Sequence, residues 1–433
     1  MDLKRADSKI AKLLEQEKKR QVDTLMMIPS ENYISGNVME VLGSVLANKY
    51  SEGYPGKRYY QGNFNYDDIE LLAQERAQSL FDVAHVNVQP YSGTPANAAI
   101  MMSVLDPGDT ILGMNLSAGG HLSHGHPKIT FGGKFFHTEL YDVDENGLID
   151  YDAVEAMAKQ VKPKLIICGY SAYPRLINFS RFARIADEVD AYLLADISHI
   201  SGLVVGKMHP SPSRHAHLIM TTTHKTLRGP RGAMIMVTRK GIRKDPELPK
   251  KIDKNVFPGI QGGPHNNQIG ALAVALQEAS KAGFKSYARK VVQNANVLAS
   301  ALLEREWTLS SGGTDNHLIL ADMRQFNVSG KVAAVAMEVA GLVMNANAIP
   351  HDPNPPYRPS GLRFGTPGIT SRGIGVAEMK QIAEWMQEVV GIIQGQENDV
   401  DGLYQNRKLR AIGKQVAKFA RDFPVPGIEE VTN

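Results

Sequence analysis

The chain has 433 residues, a length that suits two or three domains. Its 43% hydrophobic and 21% charged residues are typical of a globular protein and exclude wholesale disorder. A formal charge of +3 gives no support to nucleic acid or a membrane surface as a partner. The one cysteine, Cys168, excludes an internal disulfide and a cysteine-based metal site. With no apolar run near the length of a membrane span and no signal-like N-terminus, we expect a soluble, cytoplasmic protein.

The first 66 residues predict a helix followed by an extended arm. Residues 4–22 have helical spacing, with Ile10, Leu13 and Leu14 on the apolar side. Within the arm, residues 50–60 (YSEGYPGKRYY), here called the tyrosine loop, show no helix or strand period and contain helix-breaking Gly and Pro. A loop this dense in tyrosines and charges is either an ordinary surface loop or, as we favour, part of a site or an interface.

From residue 67 the pattern becomes alternating helices and short apolar runs. A helix is predicted over 67–81, and strands are predicted over 86–88, 110–112, 165–168, 192–195, 218–220 and 234–237. Such alternation predicts an α/β fold with a mostly parallel sheet, whose ligand lies beyond the carboxyl ends of the strands. After residue 280, helices over 286–305, 331–341 and 376–395 and a strand over 317–321 predict a smaller α+β domain. The predicted division is therefore 1–66, 67–280 and 281–433.

The segment after the first predicted strand combines hydroxyls, a glycine and a helix start. Ser92, Gly93 and Thr94 could form a phosphate cradle, because backbone N–H groups and the helix dipole favour an anion there. The same residues could simply cap the helix. No Walker loop or GxGxxG motif accompanies them, so the pattern does not favour a nucleotide.

Two later strand ends carry an acid and an amine. Asp196 either pairs with a ligand or caps the next turn, since a buried carboxylate needs a partner. Lys225 follows three threonines and is either a surface lysine or an amine that forms a Schiff base. A cradle, then an acid, then a lysine is the order expected for pyridoxal phosphate, with Lys225 on the aldehyde and Asp196 on the pyridinium nitrogen.

Two further sets of residues allow alternatives. His121, His124 and His126 could bind a metal, but no carboxylate accompanies them, and an imidazole stacked on a flat ring is the interpretation we favour. Arg363 lies in a short apolar stretch, where it is either a surface residue or a planar fork that binds a carboxylate.

Seven separated motifs occur in the order found in one known family. They are YSEGYPGKRYY at 50–60, SGTPAN at 92–97, GGHLSHG at 119–125, DISHISGL at 196–203, TTTHKTLRGPRG at 221–232, FPGIQGGP at 257–264 and GLRFGTPGIT at 361–370. In these motifs the chain resembles the serine hydroxymethyltransferases, pyridoxal-phosphate enzymes of fold type I. The resemblance implies a mostly parallel seven-stranded sheet, with a smaller α+β domain at the C-terminus.

The resemblance implies a set of residues around the cofactor. Lys225 would be the Schiff-base lysine, His121 would stack on the ring, and Asp196 would pair with its nitrogen. Ser171 and His199 would lie near the phenolic oxygen. The phosphate would be held by Ser92, Gly93 and Thr94, and by Tyr50, Gly262 and Gly263 of the neighbouring subunit.

The resemblance also implies residues for the substrates. Arg363 would bind the amino-acid carboxylate, with Ser30, His224 and Thr222 in the site. Glu52 and Tyr60 of the neighbouring subunit would serve the substrate hydroxyl and the movement of protons. The pterin would be contacted by Leu116, Gly120, Leu122 and Asn347.

The implied reaction is the reversible interconversion of L-serine and glycine, with the hydroxymethyl carbon passed to tetrahydrofolate or a related reduced pterin through an aldimine and a quinonoid. A homodimer with shared sites is implied, and the sequence leaves open whether dimers pair into tetramers. Three departures from the family lie near the expected pterin site: Ala118, Gln61 and Ala346, the last where a lysine is usual. Ala346 removes a positive charge that could meet an acidic tail.

Three alternatives differ in chemistry or class. A threonine aldolase or an α-methylserine-type enzyme that needs no pterin would keep the cofactor. A catalytically idle homologue would be expected to lack Lys225, Asp196, Arg363 or Glu52, and all four are present. A nucleic-acid-binding module lacks a basic stripe to support it.

Overall fold

The computed structural model describes residues 3–355, 357–395 and 400–428. The chain forms two compact units, one from residues 37–289 and the other from residues 1–36 together with 290–433. The three-part division expected from the sequence stays a prediction.

The helices and strands are numbered in chain order. The α-helices are α1 Leu3–Ala6, α2 Ser8–Asp23, α3 Gly36–Leu42, α4 Phe64–Phe81, α5 Gly93–Val104, α6 Phe131–Phe135, α7 Tyr151–Val161, α8 Phe179–Glu188, α9 Ser201–Val205, α10 Arg239–Lys244, α11 Leu248–Lys254, α12 Asn266–Ala279, α13 Ala282–Leu303, α14 Gly330–Val339, α15 Pro367–Ser371, α16 Val376–Ile393 and α17 Arg407–Ala420. The strands are β1 Leu25–Met26, β2 Gly53–Tyr54, β3 Lys57–Arg58, β4 His85–Asn87, β5 Thr110–Met114, β6 His137–Tyr141, β7 Leu165–Cys168, β8 Tyr192–Asp196, β9 Leu218–Thr222, β10 Ala233–Val237, β11 Leu318–Asp322, β12 Leu342–Val343, β13 Asn345–Asn347 and β14 Gly361–Gly365. Short 3-10 or irregular turns occur at 45–48, 122–124, 255–260, 310–312, 324–326 and 403–405.

The unit of residues 37–289 is built on a seven-stranded sheet in the order β4-β10-β9-β8-β7-β5-β6. Strands β6, β5, β7, β8 and β9 run parallel, and β10 is antiparallel to both of its neighbours. The predicted mostly parallel sheet is therefore confirmed. β7, β9 and β10 are buried along their whole length, as expected for strands covered on both faces.

The sheet's core explains where its functional edge lies. Helix α5 packs Ile100 and Met101 against Ile167 of β7 and Met220 of β9. Because five strands are parallel, their carboxyl ends meet at one edge, where polar segments follow each strand. The N-terminus of α5 belongs to this edge, since Gly93 lies against Thr222 at the end of β9.

The other unit has its own small sheet and core. β14 lies between β11 and β13 and is antiparallel to both, while β1 pairs in parallel with β12. Buried side chains of α13, α14, α16 and α17 form one core with this sheet. Arg372 links the segment after α2 with the segment after α17 by donating to the carbonyl oxygens of Thr24 at 2.7 Å and Phe423 at 3.0 Å.

The N-terminal helix differs in detail from the prediction over 4–22. Asp7 accepts hydrogen bonds from the backbone N–H groups of Lys9 and Ile10, so it caps α2 and separates it from α1. Ile10, Leu13 and Leu14 of α2 are exposed on the single chain. Among the described residues, none of the helices combines the length and the hydropathy that crossing a bilayer requires.

Candidate active site

Asp196 and Lys225 follow neighbouring parallel strands. Asp196 is the last residue of β8, Thr222 is the last residue of β9, and Lys225 comes three residues later. The Nζ of Lys225 donates to Oγ1 of Thr222 at 3.0 Å. The predicted amine therefore lies at the functional edge of the sheet, held by a hydroxyl of its own strand end.

The backbone around Asp196 is close-packed. Gly169, directly after β7, has φ +142°, and a Cβ added there would lie 1.9 Å from the carbonyl oxygen of Asp196. Only glycine fits such an approach. The site therefore depends on a residue that carries no functional group.

Both carboxylate oxygens of Asp196 are hydrogen-bonded. Oδ1 accepts from the backbone N–H of Ser198 at 3.1 Å, and Oδ2 lies 2.7 Å from Nε2 of His124 and 3.2 Å from Nδ2 of Asn97. Burial alone would raise the pKa of Asp196, but the contacts with His124 and Ser198 and the charge of Lys225 outweigh it and hold the pKa well below its usual range. Asp196 is therefore a buried, ionised carboxylate. We call Asp196, His124, Asn97, Ser198, Thr222 and Lys225 the Asp196 centre.

The N-terminus of α5 has the features of an anion cradle. Ser92 occupies the N-cap position, yet its side chain makes no capping hydrogen bond. A Cβ on Gly93 would lie 3.0 Å from Cγ2 of Thr222, so this helix start is close to the end of β9. Thr94 follows in the first turn. Since the Ser92 hydroxyl does not cap the helix, it is available to a ligand.

The loop after β5 carries His121 and part of the predicted pterin site. Its turn depends on Gly120, where a Cβ would lie 2.2 Å from the carbonyl oxygen of Met114. The backbone N–H of Ser171 donates to the carbonyl oxygen of Gly119 at 2.7 Å, which ties the predicted Ser171 to this loop. Leu122 and His121 are exposed, and Leu116 is half-buried.

His199 and His224 lie on the segments that follow β8 and β9. The carbonyl oxygen of His199 accepts from Oγ1 of Thr226 at 2.8 Å, so these two segments are joined. Burial, together with the charges of Lys225 and Arg231, lowers the pKa of His224 to about 3. His224 is therefore neutral at physiological pH and can hydrogen-bond without adding charge.

The other predicted site residues of this unit lie in or beside the tyrosine loop. A Cβ on Gly263 would lie 3.0 Å from the ring of Tyr50, and one on Gly262 would lie 3.7 Å from Oε1 of Glu52. The rings of Tyr50 and Tyr60 meet edge to face at 5.8 Å. Tyr50, Glu52, Tyr60, Gly262 and Gly263 thus form one cluster within a single chain.

Buried polar contacts fix the tyrosine loop from below. Arg58 pairs with Glu70 at 2.7 Å and Asp67 at 2.8 Å, and it donates to the carbonyl oxygen of Gly53 at 2.8 Å. Gln89 donates to Gly53 and to Glu70. The loop is rigidly anchored, although Tyr50 and Tyr60 are exposed at 64% and 48%.

The predicted substrate residues Ser30 and Arg363 lie in the other unit. Arg363 is on β14 opposite Asn345 of β13, and its Nε donates to Oδ1 of Asn345 at 3.0 Å. Burial lowers the pKa of its guanidinium to about 10. The backbone N–H of Gly365 donates to the carbonyl oxygen of Met27, which brings the segment leading to Ser30 beside the same strand. Asn347 lies opposite Gly361.

The sequence pattern does not identify the residues that support these groups. The sequence places His124 in a histidine cluster that fits a metal or a stacked ring, Asn97 in the SGTPAN motif and Arg58 in the tyrosine loop, and it assigns no contact to any of them. Within the described part of the chain, no group of three or more His, Cys, Asp or Glu side chains could hold a metal ion. Spacing alone could not reveal that His124 and Asn97 meet Asp196, because the fold brings them together from three segments.

Comparisons with known proteins agree on one family. A family model described as serine hydroxymethyltransferase matches residues 3–386. The chain is 51% identical to the serine hydroxymethyltransferase of Acidothermus cellulolyticus, over 98% of this chain and 96% of that protein. It is 48% identical to that of Desulfotalea psychrophila (99% and 97% covered) and 50% identical to that of Sorangium cellulosum (98% and 97% covered).

Proposed function

This chain belongs to the serine hydroxymethyltransferase family, and from that premise we propose how its own residues carry out the reaction. The enzyme is a pyridoxal-phosphate-dependent transferase of fold type I. It interconverts L-serine and glycine and exchanges the hydroxymethyl carbon with tetrahydrofolate. The comparisons do not favour the aldolase and α-methylserine alternatives.

The Asp196 centre has the donor set that pyridoxal phosphate needs. Asp196 is ionised and buried, Lys225 offers an amine, and Ser92, at the N-cap of α5, has a hydroxyl that makes no capping hydrogen bond. When bound, the cofactor withdraws electrons from the α-carbon of the amino acid. We assign Lys225 to its aldehyde, Asp196 to its ring nitrogen and Ser92, Gly93 and Thr94 to its phosphate.

Other residues of this unit position the Lys225 amine, the substrate and the cofactor ring, and they do not themselves react. Thr222 holds the Lys225 amine in place through its hydroxyl. His224 stays neutral, so it can hydrogen-bond to the substrate without repelling Lys225. His121, Ser171 and His199 are assigned to the face and the phenolic edge of the cofactor ring. These assignments rest on one observation: the ionised Asp196 and Thr222 lie on the neighbouring parallel strands β8 and β9.

We assign the carboxylate of serine or glycine to Arg363 and Ser30. Arg363 offers a planar fork of donors, of which Nε is already oriented by Asn345. The pterin is assigned to Leu116, Gly120, Leu122 and Asn347. Ala346, between Asn345 and Asn347 on β13, supplies no charge for an acidic tail. We therefore expect Ala346→Lys to tighten the binding of tetrahydrofolate carrying several glutamates, measured against the monoglutamate form.

The exposed tyrosine loop supports a homodimer in which each site is shared. Tyr50 and Tyr60 are exposed at 64% and 48%, Glu52 beside them in the loop is partly buried, and Phe64, the first residue of α4, is 85% exposed. An ordered aromatic patch of this kind is typical of an interface, and a second copy would cover it. Glu52 and Tyr60 would then move protons and bind the hydroxyl in the partner's site. Sedimentation velocity of the loaded protein should give twice the mass of the 47.4 kDa chain.

We also propose that the enzyme acts in the cytoplasm. Its single cysteine, Cys168, is buried on β7, where burial raises the pKa of the thiol well above its usual range. A chain with one inert thiol suits a reducing compartment. Fractionation of cells that produce the protein would test the location.

A titration tests the reaction directly. The protein is loaded with pyridoxal phosphate and saturated with glycine, and tetrahydrofolate is added while the visible spectrum is recorded. A new absorption band that grows with tetrahydrofolate is expected, because amino acid, cofactor and carrier must meet in one site. Serine cleavage that proceeds equally well without tetrahydrofolate would contradict the assignment.

A further inference from the structure

Two residues without an assigned role contact the same oxygen of Asp196. His124 comes from the turn after β5 and Asn97 from the first turns of α5, and both are buried. Their nitrogens lie 2.7 Å and 3.2 Å from Oδ2 of Asp196. Asp196 is thus held from two segments that lie far from it in the sequence.

The surroundings of His124 determine which of its ring nitrogens donates to Asp196. Its Nδ1 is buried and has no hydrogen-bond partner among the described residues. A proton on Nδ1 would be unsolvated, which is costly, whereas a proton on Nε2 points at the carboxylate. Nε2 is therefore the ring nitrogen through which His124 donates to Asp196.

The amide of Asn97 is oriented by the same reasoning. Its Nδ2 has two hydrogens, one directed at Asp196 and the other at Oγ of Ser123 at 2.9 Å. A flipped amide would place an oxygen against the carboxylate and is excluded by repulsion. The orientation of Asn97 is therefore set by the charge of Asp196.

Ser123 continues the chain of hydrogen bonds to His121. The backbone N–H of Ser123 donates to Nδ1 of His121 at 3.2 Å, so Nδ1 is an acceptor, and the Ser123 hydroxyl at 2.8 Å donates to it as well. Asn97 and Ser123 thus connect the residue assigned to the cofactor face with the residue assigned to its ring nitrogen. One hydrogen-bond network therefore links His121 with Asp196.

We propose that His124 and Asn97 are positioning residues of this enzyme, which keep Asp196 ionised and aimed at the cofactor's ring nitrogen. The proposal rests on the assignment of Asp196 to that nitrogen. Neither residue touches the reacting atoms. Their contribution is to keep the carboxylate from rotating or taking up a proton, so that the ring nitrogen remains protonated and the cofactor remains an effective electron acceptor.

The test uses pyridoxal phosphate labelled with ¹⁵N in its ring, bound to the full-length protein. The ¹⁵N chemical shift reports whether the ring nitrogen carries a proton. We expect the protonated shift in the wild type and in His124→Gln, whose amide can donate near the position of Nε2. His124→Leu should move the shift toward the neutral value and weaken cofactor binding to the apoprotein roughly tenfold or more. His126→Leu, a histidine of the same loop that does not contact Asp196, is the matched control.

The outcomes distinguish the positioning role of His124 and Asn97 from the assignment of Asp196 to the ring nitrogen. A neutral ring nitrogen in the wild type would overturn the assignment of Asp196, and the positioning role with it. A protonated shift in His124→Leu equal to the wild type would overturn the positioning role of His124 alone. Asn97→Ala is the second variant, because it leaves His124 in place. Its ¹⁵N shift and its affinity for the cofactor should change in the same direction as in His124→Leu. Unchanged values would overturn the role of Asn97.

Discussion

Within residues 37–289, Asp196 is buried with both carboxylate oxygens hydrogen-bonded, whereas the tyrosine loop is anchored on its inner side and exposed on its outer side. Asp196 has partners on both oxygens. Arg58 anchors the loop through its ion pair with Glu70, yet Tyr50 and Tyr60 are 64% and 48% exposed. From this contrast we propose that Asp196 and Lys225 belong to the chain's own cofactor site, while the tyrosine loop contributes to the site of a second chain.

The largest effect is expected from the Asp196 centre. Lys225→Ala removes the only group assigned to the cofactor aldehyde, so turnover should fall roughly a thousandfold or more. The visible absorption band of the bound cofactor should disappear from the purified protein. Lys250→Ala, at an exposed lysine paired with Glu247, should leave both unchanged. A surviving band in Lys225→Ala would show that another amine holds the cofactor.

The anchoring of the tyrosine loop should appear as stability. Arg58→Ala leaves Glu70 buried without its cation, and breaking such a pair typically costs about 3–5 kcal/mol of the free energy of unfolding. Arg239→Ala breaks an exposed pair with Asp82 and should leave the free energy of unfolding nearly unchanged. Urea unfolding of the apoprotein measures both. Equal costs would mean that the loop is not anchored through Arg58.

The exposed surface of the loop should behave in the opposite way. Tyr60→Phe removes a hydroxyl from a side chain that is 48% exposed, so the free energy of unfolding should change by less than about 0.5 kcal/mol. Turnover of serine should fall roughly tenfold or more, because the hydroxyl is assigned to proton movement. Steady-state kinetics beside urea unfolding separates the two effects, and a change in stability alone would remove Tyr60 from the site.

The smallest expected effect is the pH dependence that His224 brings to the Asp196 centre. Its pKa in the folded protein is about 3, below the ordinary value of 6.5, so the unfolded chain takes up a proton that the folded chain does not. Stability should therefore fall as the pH drops below about 6.5, by at most about 1.4 kcal/mol per pH unit. His224→Asn should flatten this decline between pH 7 and pH 5. An unaltered slope would mean that His224 is already protonated in the folded protein.

The sequence predicted the elements of the fold more completely than it predicted the contacts that support the site. Buried apolar runs predicted six strands of the large sheet. They did not predict β6, because its residues His137–Tyr141 (HTELY) are largely polar and only partly buried at the sheet edge. Helix α17 also escaped, although Leu409, Ile412 and Val416 have the spacing of a buried helical face. The motifs placed Asp196 and Lys225 at strand ends. His124, Asn97 and Gly169 could not be assigned, because their roles depend on distances that only the folded sheet creates.

Mixing subunits tests the central claim, that the two regions of one chain serve different sites. Lys225→Ala and Glu52→Gln chains are each expected to be inactive alone. If sites are shared, a mixed dimer contains one site with both changes and one with neither, so unfolding and refolding an equal mixture should restore about a quarter of wild-type turnover. No recovery, with mixed dimers verified by two different affinity tags, would contradict the account and place both residues in one chain's own site.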